Sequence, residues 1–325
     1  MTDIFRSRET ILALVVTVML GLIALRAPGY LAFSNVTNLL SNWGFLLILV
    51  LGQLGVLLTR GIDLSQASIL AFSGMFLALL SQAAPDLPSG AYIVLSIGMG
   101  IGLGLVNAGL IVFAGLPPII ATLGTMTVIR GLIFVLSDGA WISSHEMSGP
   151  FKAFPAGAVL GIPNVYLVAL TVTLFVWILL TQRRIGRDIY AHGGNPEAAR
   201  NAGVSGHRVE FLVYGLSGAL AGLCGYLWAG RFAIAYTQSA EGREFAIIAA
   251  CVIGGASITG GRGTVAGAVL GALFIAILET ALPFLRINPF LQLALTGAVI
   301  LLAVAANARA EWLPGRQILP REERK

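Results

Sequence analysis

The chain has 325 residues, of which 57% are hydrophobic and only 11% charged, with 40 glycines and a mean hydropathy of +0.88. A soluble domain carries about 25% charged residues to hold its water shell, so this composition excludes a water-covered globule and indicates an integral membrane protein. The net charge is +5, but the bases are arginines at the ends of apolar segments, which argues against a nucleic-acid surface and makes them orientation signals.

The first apolar run, from Ile11 to Leu25, follows Arg6 and Arg8 and lacks a clean small-x-small cleavage site, so it reads as a retained span rather than a signal peptide. Hydropathy and chain breakers predict ten spans, near 11–27, 38–58, 64–82, 91–114, 117–136, 163–182, 209–229, 244–258, 264–282 and 288–306. The fold class is therefore all-α and polytopic, one transmembrane domain over 1–325. Twelve of the twenty bases lie in three segments: the N-terminus, residues 183–208 and the tail 307–325. The positive-inside rule places all three, and hence both termini, in the cytoplasm; six and then four spans between them satisfy the required even parity. The same parity puts 137–162 and 230–243 on the outer face.

Along the chain, Asp63 follows an interior turn. Either Asp63 or Ser65 caps the next helix, or the pair serves a gate or cavity. Gly98, Gly100, Gly102 and Gly104 form two overlapping Gly-x-x-x-Gly pairs, Gly218 and Gly222 another, and Gly263, Gly267 and Gly271 two in succession; such faces let helix backbones approach closely. On the outer loop, Asp138, His145 and Glu146 have no cysteine or second histidine near, so no metal site is expected there. The span at 244–258 is short and runs into a glycine-rich stretch, where a broken or re-entrant helix would be tolerated only against protein or a water-filled cavity. Gly254, Gly255, Ser257, Gly260 and Gly261 are accordingly candidates, with Asp63 and Ser65, for a translocation path or gate. Glu279 is either a pathway acid or the partner of Arg286. Cys224 and Cys251 lie inside apolar runs and read as buried free thiols.

Residues 183–208 are the long polar interior segment. Asn195 is suited to cap a helix, Pro196 to its first position, Glu197 to the positive end of its dipole, and Gly203 to a left-handed close. The resulting two-turn helix has small side chains at Ala198, Ala199 and Ala202 flanked by Arg200 and Arg208. It is either an ordinary loop helix or a device that inserts into a groove on a partner.

Glu197-Ala198-Ala199-x-x-x-Gly203 resembles the signature by which permease subunits of bacterial ABC importers contact their ATPases. The wider pattern from Ala191 through Gly193 and Asn195 to Gly203 is similar to the monosaccharide permeases of the ribose, xylose and arabinose type. Gly61-Ile62-Asp63-Leu64-Ser65, Ala121-Thr122-Leu123-Gly124-Thr125 and Gly254-Gly255-Ala256-Ser257 agree in the same order. The stretch Gly139–Ser148 and the tail Gly315–Leu319 look closer to the rhamnose branch. The longer signature's Ile-x-Leu-Pro ending is absent, with Val213, Gly215 and Leu216 in those places, so docking geometry does not carry over from maltose-type permeases.

The resemblance implies a permease in a bacterial inner membrane that translocates a monosaccharide. It implies ATPase coupling through Asn195, Glu197, Ala198, Ala199, Arg200 and Gly203. It also implies cytoplasmic ATPase subunits, a periplasmic sugar-binding protein and a second permease chain in a homo- or heterodimer, all in membrane lipid. No cofactor is expected in this chain, since neither Lys152 nor Lys325 sits in a phosphate loop and ATP would be bound by the partners. Without a Ser-His-Asp, Cys-His or paired-carboxylate arrangement, catalysis is not expected. An ion-coupled secondary transporter is the alternative, for which Asp63 and Glu279 are the acids on offer.

Overall fold

The computed structural model describes residues 8–285 and, beyond them, positions 288, 291, 294, 297, 298 and 301. The tail 307–325 lies outside the described residues, as do Arg6, Arg286 and all but those isolated positions of the predicted tenth span. The elements are α1 (Arg8–Arg26), a 3-10 turn (Pro28–Leu31), α2 (Phe33–Leu58), α3 (Gln66–Ala83), α4 (Ser89–Val112), α5 (Pro118–Ser137), α6 (Gly149–Ala156), β1 (Ala158–Val159), β2 (Ile162–Pro163), α7 (Asn164–Gln182), α8 (Arg184–Gly194), α9 (Pro196–Asn201), α10 (Gly206–Phe232), α11 (Arg243–Ile253) and α12 (Val265–Phe284). The two strands form a minimal antiparallel hairpin with Ala158 opposite Pro163, and its turn residues Leu160 and Gly161 both have positive φ, as a primed turn requires.

Among the described residues, eight helices are long and apolar enough to cross a hydrocarbon layer: α1, α2, α3, α4, α5, α7, α10 and α12. The core sits on α2, α3 and α10. From Gly44 to Leu58 every residue of α2 is buried, the mark of a helix packed on all sides, whereas α1, α4, α5 and α7 turn Leu14, Val94, Val135 and Leu174 outward, as lipid-facing helices do.

Glycine brings α4 and α10 together. A Cβ at Gly100 would overlap the Gly218 carbonyl oxygen and one at Gly104 the Tyr214 carbonyl oxygen, so only a bare backbone fits. Gly98 and Gly102, the other half of the predicted pairs, have no neighbouring atom within 4 Å. In α12, Gly267 and Gly271 lie against the carbonyls of Gly254 and Ala250. Gly263 stands before the helix, so the sequence assignment of it to that helical face is corrected.

The predicted span at 244–258 takes the broken form. Its helix, α11, ends at Ile253 after 11 residues, roughly 16 Å at 1.5 Å per residue and too short to cross. The chain then runs irregularly through Gly255, Gly260 and Gly261, all at positive φ, to Thr264, whose side chain caps α12.

Loops gather at two ends of the bundle. One end holds 59–65, 183–205 and 254–264, joined by Arg60 to Gly193 and Gly194, Gly261 to Leu58, and Tyr190 to Gly263. The other holds 84–88, 138–163 and 233–242, joined by a backbone bridge between Ile142 and Ala235 and by Ser89 to Pro150. Six helices of membrane-spanning length run from Arg8 to the 183–205 segment.

Candidate functional site

The polar segment carries two helices, not one. In α9 the Asn195 Oδ1 accepts from the backbone N–H of Glu197 (3.1 Å) and Ala198 (3.0 Å), Pro196 opens the helix, and Gly203 at φ 84° closes it as Val204 donates back to Ala199 (3.0 Å). The local geometry is the one the sequence predicts. Ala199 turns inward, while Glu197, Ala198, Arg200 and Ala202 are exposed. The eleven-residue α8 was missed, because Gly186, Gly193 and Gly194 depress helix propensity; Ile185 and Ile189, four apart and turned toward the bundle, were the available signal. A cleft of about 360 Å³ lies between the two helices and the start of α10, lined by His192, Pro196, Glu197, Arg200, Gly206 and His207. His192 Nε2 lies 3.3 Å from Glu210 Oε1 on its wall.

Among the contacts that fasten this exposed segment to the membrane part are those of Arg60, a residue that the sequence reading passed over. Arg60 donates from Nε to the Gly193 carbonyl (2.7 Å) and from its second nitrogen to the Gly194 carbonyl (2.6 Å), the residues just before the Asn195 cap. Its own backbone is left-handed at φ 68°, an unusual state for a long side chain and one held here by the surrounding bonds. Tyr190 donates to the Gly263 carbonyl (2.7 Å), and burial raises its pKa, so the phenol keeps the proton it donates.

Three residues beyond Arg60, Asp63 is the centre of a buried network. Its Oδ1 accepts from the Ser65 backbone N–H (2.9 Å) and hydroxyl (2.6 Å), and its Oδ2 from the Ser217 hydroxyl of α10 (2.6 Å). Gln66 donates to Ser217 Oγ (2.6 Å), Asn107 of α4 to Ser65 Oγ (2.7 Å), and Thr125 of α5 to Asn107 Oδ1 (2.6 Å). Thr122 donates to the Ile62 carbonyl (3.0 Å), and the Gln53 amide, set to satisfy both its atoms, bonds the Asp63 backbone on each side. Neither Asp63 nor Ser65 caps α3 with its side chain; Asp63 instead binds the cap residue's own N–H. The carboxylate thus bonds Ser65 and Ser217 directly, and α2, α3, α4, α5 and α10 all contribute to the network around it. The hydroxyl of Tyr214 and Gln66 Oε1 are buried beside it without partners among the described residues.

The other predicted residues separate into places. Gly254 packs on Gly267 inside the α11–α12 pair, whereas Gly260 lies against Arg60 and the Gly193 carbonyl, and Gly261 donates to the Leu58 carbonyl (2.9 Å). Ser257 is buried and its N–H closes the loop onto Arg262 (2.8 Å). Glu279 pairs with Arg243 (3.3 Å), which also lies 4.7 Å over the Trp228 ring; the expected partner Arg286 is outside the described residues. In the 138–163 segment Glu146 accepts from Ser143 and Lys152 donates to Ser144, both local contacts. Cys224 and Cys251 are buried and free.

Comparison with known proteins agrees with this architecture. Residues 35–304 match the family described as branched-chain amino acid transport system / permease component. The chain is 37% identical to the ribose import permease protein of Bacillus subtilis, over 90% of each chain. It is 36% identical to the D-allose transport system permease protein of Escherichia coli, over 91% of this chain and 89% of that one. The galactose/methyl galactoside import permease protein of the same organism is 32% identical, over 90% and 92%. No solved structure matches at a significant level. On the match over 35–304 and on these relatives, the chain belongs to the permease-component family of transport systems: it is the multi-pass membrane permease of an ABC importer, not an enzyme.

Proposed function

We propose that this chain conducts a monosaccharide across a bacterial inner membrane, with α9 as the contact for separate ATPase subunits and a periplasmic binding protein delivering the sugar to the opposite face. In this reading the end bearing α8 and α9 is cytoplasmic, both termini lie on that side, ten spans are completed beyond α12, and the complex contains a second permease chain. The bond set from Arg60 to Gly193 and Gly194 carries the proposal, because it joins the exposed α9 to the Asp63 network through three residues of backbone.

Closure of the ATPases would press on Glu197, Ala198, Arg200 and Ala202. Since Asn195 and Gly203 hold α9 at both ends, the load passes to α8 and through Arg60 to the 59–65 turn. There the carboxylate of Asp63 has bonds to α10 and, through Ser65 and Asn107, to α4 and α5, so a shift of the turn changes how those helices meet. Such a buried polar set suits two discrete arrangements, and the unpaired Tyr214 hydroxyl and Gln66 oxygen supply partners for the second. Gly260 and Gly261 ride on the same residues. The rhamnose reading rests on 139–148 and on tail residues outside the described part.

An ion-coupled transporter is not favoured, as Asp63 is enclosed by hydroxyl and amide donors and Glu279 is held by Arg243. Gly203→Pro removes the N–H that bonds Arg200 and the left-handed backbone, and Glu197→Arg reverses the charge at the helix start. Both are expected to abolish sugar uptake in cells at normal membrane level. Uptake persisting in both variants would remove α9 from the coupling role.

A further inference from the structure

At the end of the bundle away from α9, a cleft of about 400 Å³ opens between α2 and α10, lined by Asn38, Ser41, Asn42, Arg231 and Phe232. The volume is within the roughly 300–1,000 Å³ of small-molecule sites. Asn38 and Asn42 are one helical turn apart on α2, roughly 8 and 14 Å below its start at 1.5 Å per residue. Arg231 is in the last turn of α10. Among the described residues, neither carboxamide nor the guanidinium has a hydrogen-bond partner, while Ser41 spends its proton on the Thr37 carbonyl (2.9 Å). Phe232 stands in an aromatic group, 4.7 Å from Trp228 and 5.6 Å from Phe45 between ring centroids.

Uncommitted amides and a guanidinium on membrane-spanning helices are costly against lipid, so this cleft faces water or a ligand. The chemistry of its lining selects the ligand. Two carboxamides present acceptor oxygens as well as donors, and the guanidinium only donors. A carboxylate accepts but does not donate, and a phosphate is mostly acceptor, so either matches the two amide oxygens poorly. A hydroxyl does both, and vicinal hydroxyls match the planar forks of Asn and Arg. The Phe232 face offers an apolar surface to the C–H face of a ring.

We infer that the α2–α10 cleft is an entry site for a neutral polyhydroxylated solute of monosaccharide size, held by Asn38, Asn42 and Arg231 over Phe232. The inference rests on the sugar-import reading and deepens it by naming where the cargo is first held.

The test uses the permease assembled with its ATPase and binding protein in vesicles. Wild-type uptake of labelled ribose, galactose, allose and rhamnose is measured first, and uptake of none of them defeats the import reading itself. Given uptake, Asn38→Ala and Asn42→Ala are each expected to lower it roughly tenfold, the scale of a lost ligand hydrogen bond, at equal binding-protein association; unchanged uptake overturns the cleft alone. Asn42→Cys provides a readout independent of turnover, since the native thiols are buried. A membrane-impermeant thiol reagent added on the outer side is expected to label it, and the transported sugar to protect it severalfold while inorganic phosphate does not. Absence of labelling, labelling without sugar protection, or equal protection by phosphate would overturn the site. Loss of binding-protein association in Arg231→Gln, without sugar protection in Asn42→Cys, would assign the cleft to a protein contact and overturn it also.

Discussion

Asp63 shows how one side chain organises a membrane interior. Both of its carboxyl oxygens accept, from Ser65 and Ser217, so each of these donors depends on it. Asp63→Ala leaves these buried donors unpaired at about 1–3 kcal/mol for each group that finds no substitute. The detergent-solubilised variant is expected to melt well below wild type, with Asp63→Asn intermediate because its amide oxygen keeps one acceptor; equal melting of the Ala variant and wild type would show that the network carries no stability. The sequence marked Asp63 and Ser65 as either a cap or a gate. It could not choose, since the deciding partners, Ser217 and Asn107, are 154 and 42 residues away from Asp63 and Ser65 respectively.

At the scale of elements, the glycine pattern was legible and its direction was not. Spacing of four made Gly98, Gly100, Gly102 and Gly104 equivalent, but a helix presents only one of the two faces to α10. Gly100→Ala and Gly218→Ala must push backbones apart and are expected to cost about 1–3 kcal/mol, as overpacked sites do. Gly98→Ala and Gly102→Ala meet open space and are expected to be neutral or slightly stabilising, since alanine is the better helix former. Thermal unfolding of the four purified variants checks the ranking, and equal effects would refute the packing. The same limitation explains α8: its apolar positions are few, and its helix is fixed by Arg60 and by the 254–264 loop, where Gly263 accepts from Tyr190 of α8 and Gly260 lies against Gly193, both distant in sequence.

For the whole molecule, the consequence is a load path from an exposed helix to a buried carboxylate. Arg60→Gly cuts the direct bonds between the 59–65 turn and α8 while leaving Tyr190 on Gly263, because glycine adopts the left-handed backbone freely and only the side chain is lost. This variant is expected to assemble with the ATPase subunits, measured by co-purification, yet to lose uptake by tenfold or more, the range of 1.4 kcal/mol and above in coupling. Normal uptake in Arg60→Gly would break the path, while loss of co-purification would make Arg60 a part of the docking surface instead.

The sequence by itself determined the membrane-spanning class, the run of apolar helices of spanning length ahead of the polar segment, and the caps of α9. Each of these follows from short-range causes: hydropathy over a span, arginine placement, and hydrogen bonds between residues two to five apart. Only the tertiary structure decided that 244–258 ends as a short helix, that Glu279 pairs with Arg243, and that Arg60, Asp63, Ser217 and Gly260 converge at one end. Those outcomes depend on which faces of distant helices meet, and helix packing within a membrane is set by shape and buried polar pairing that no local pattern encodes.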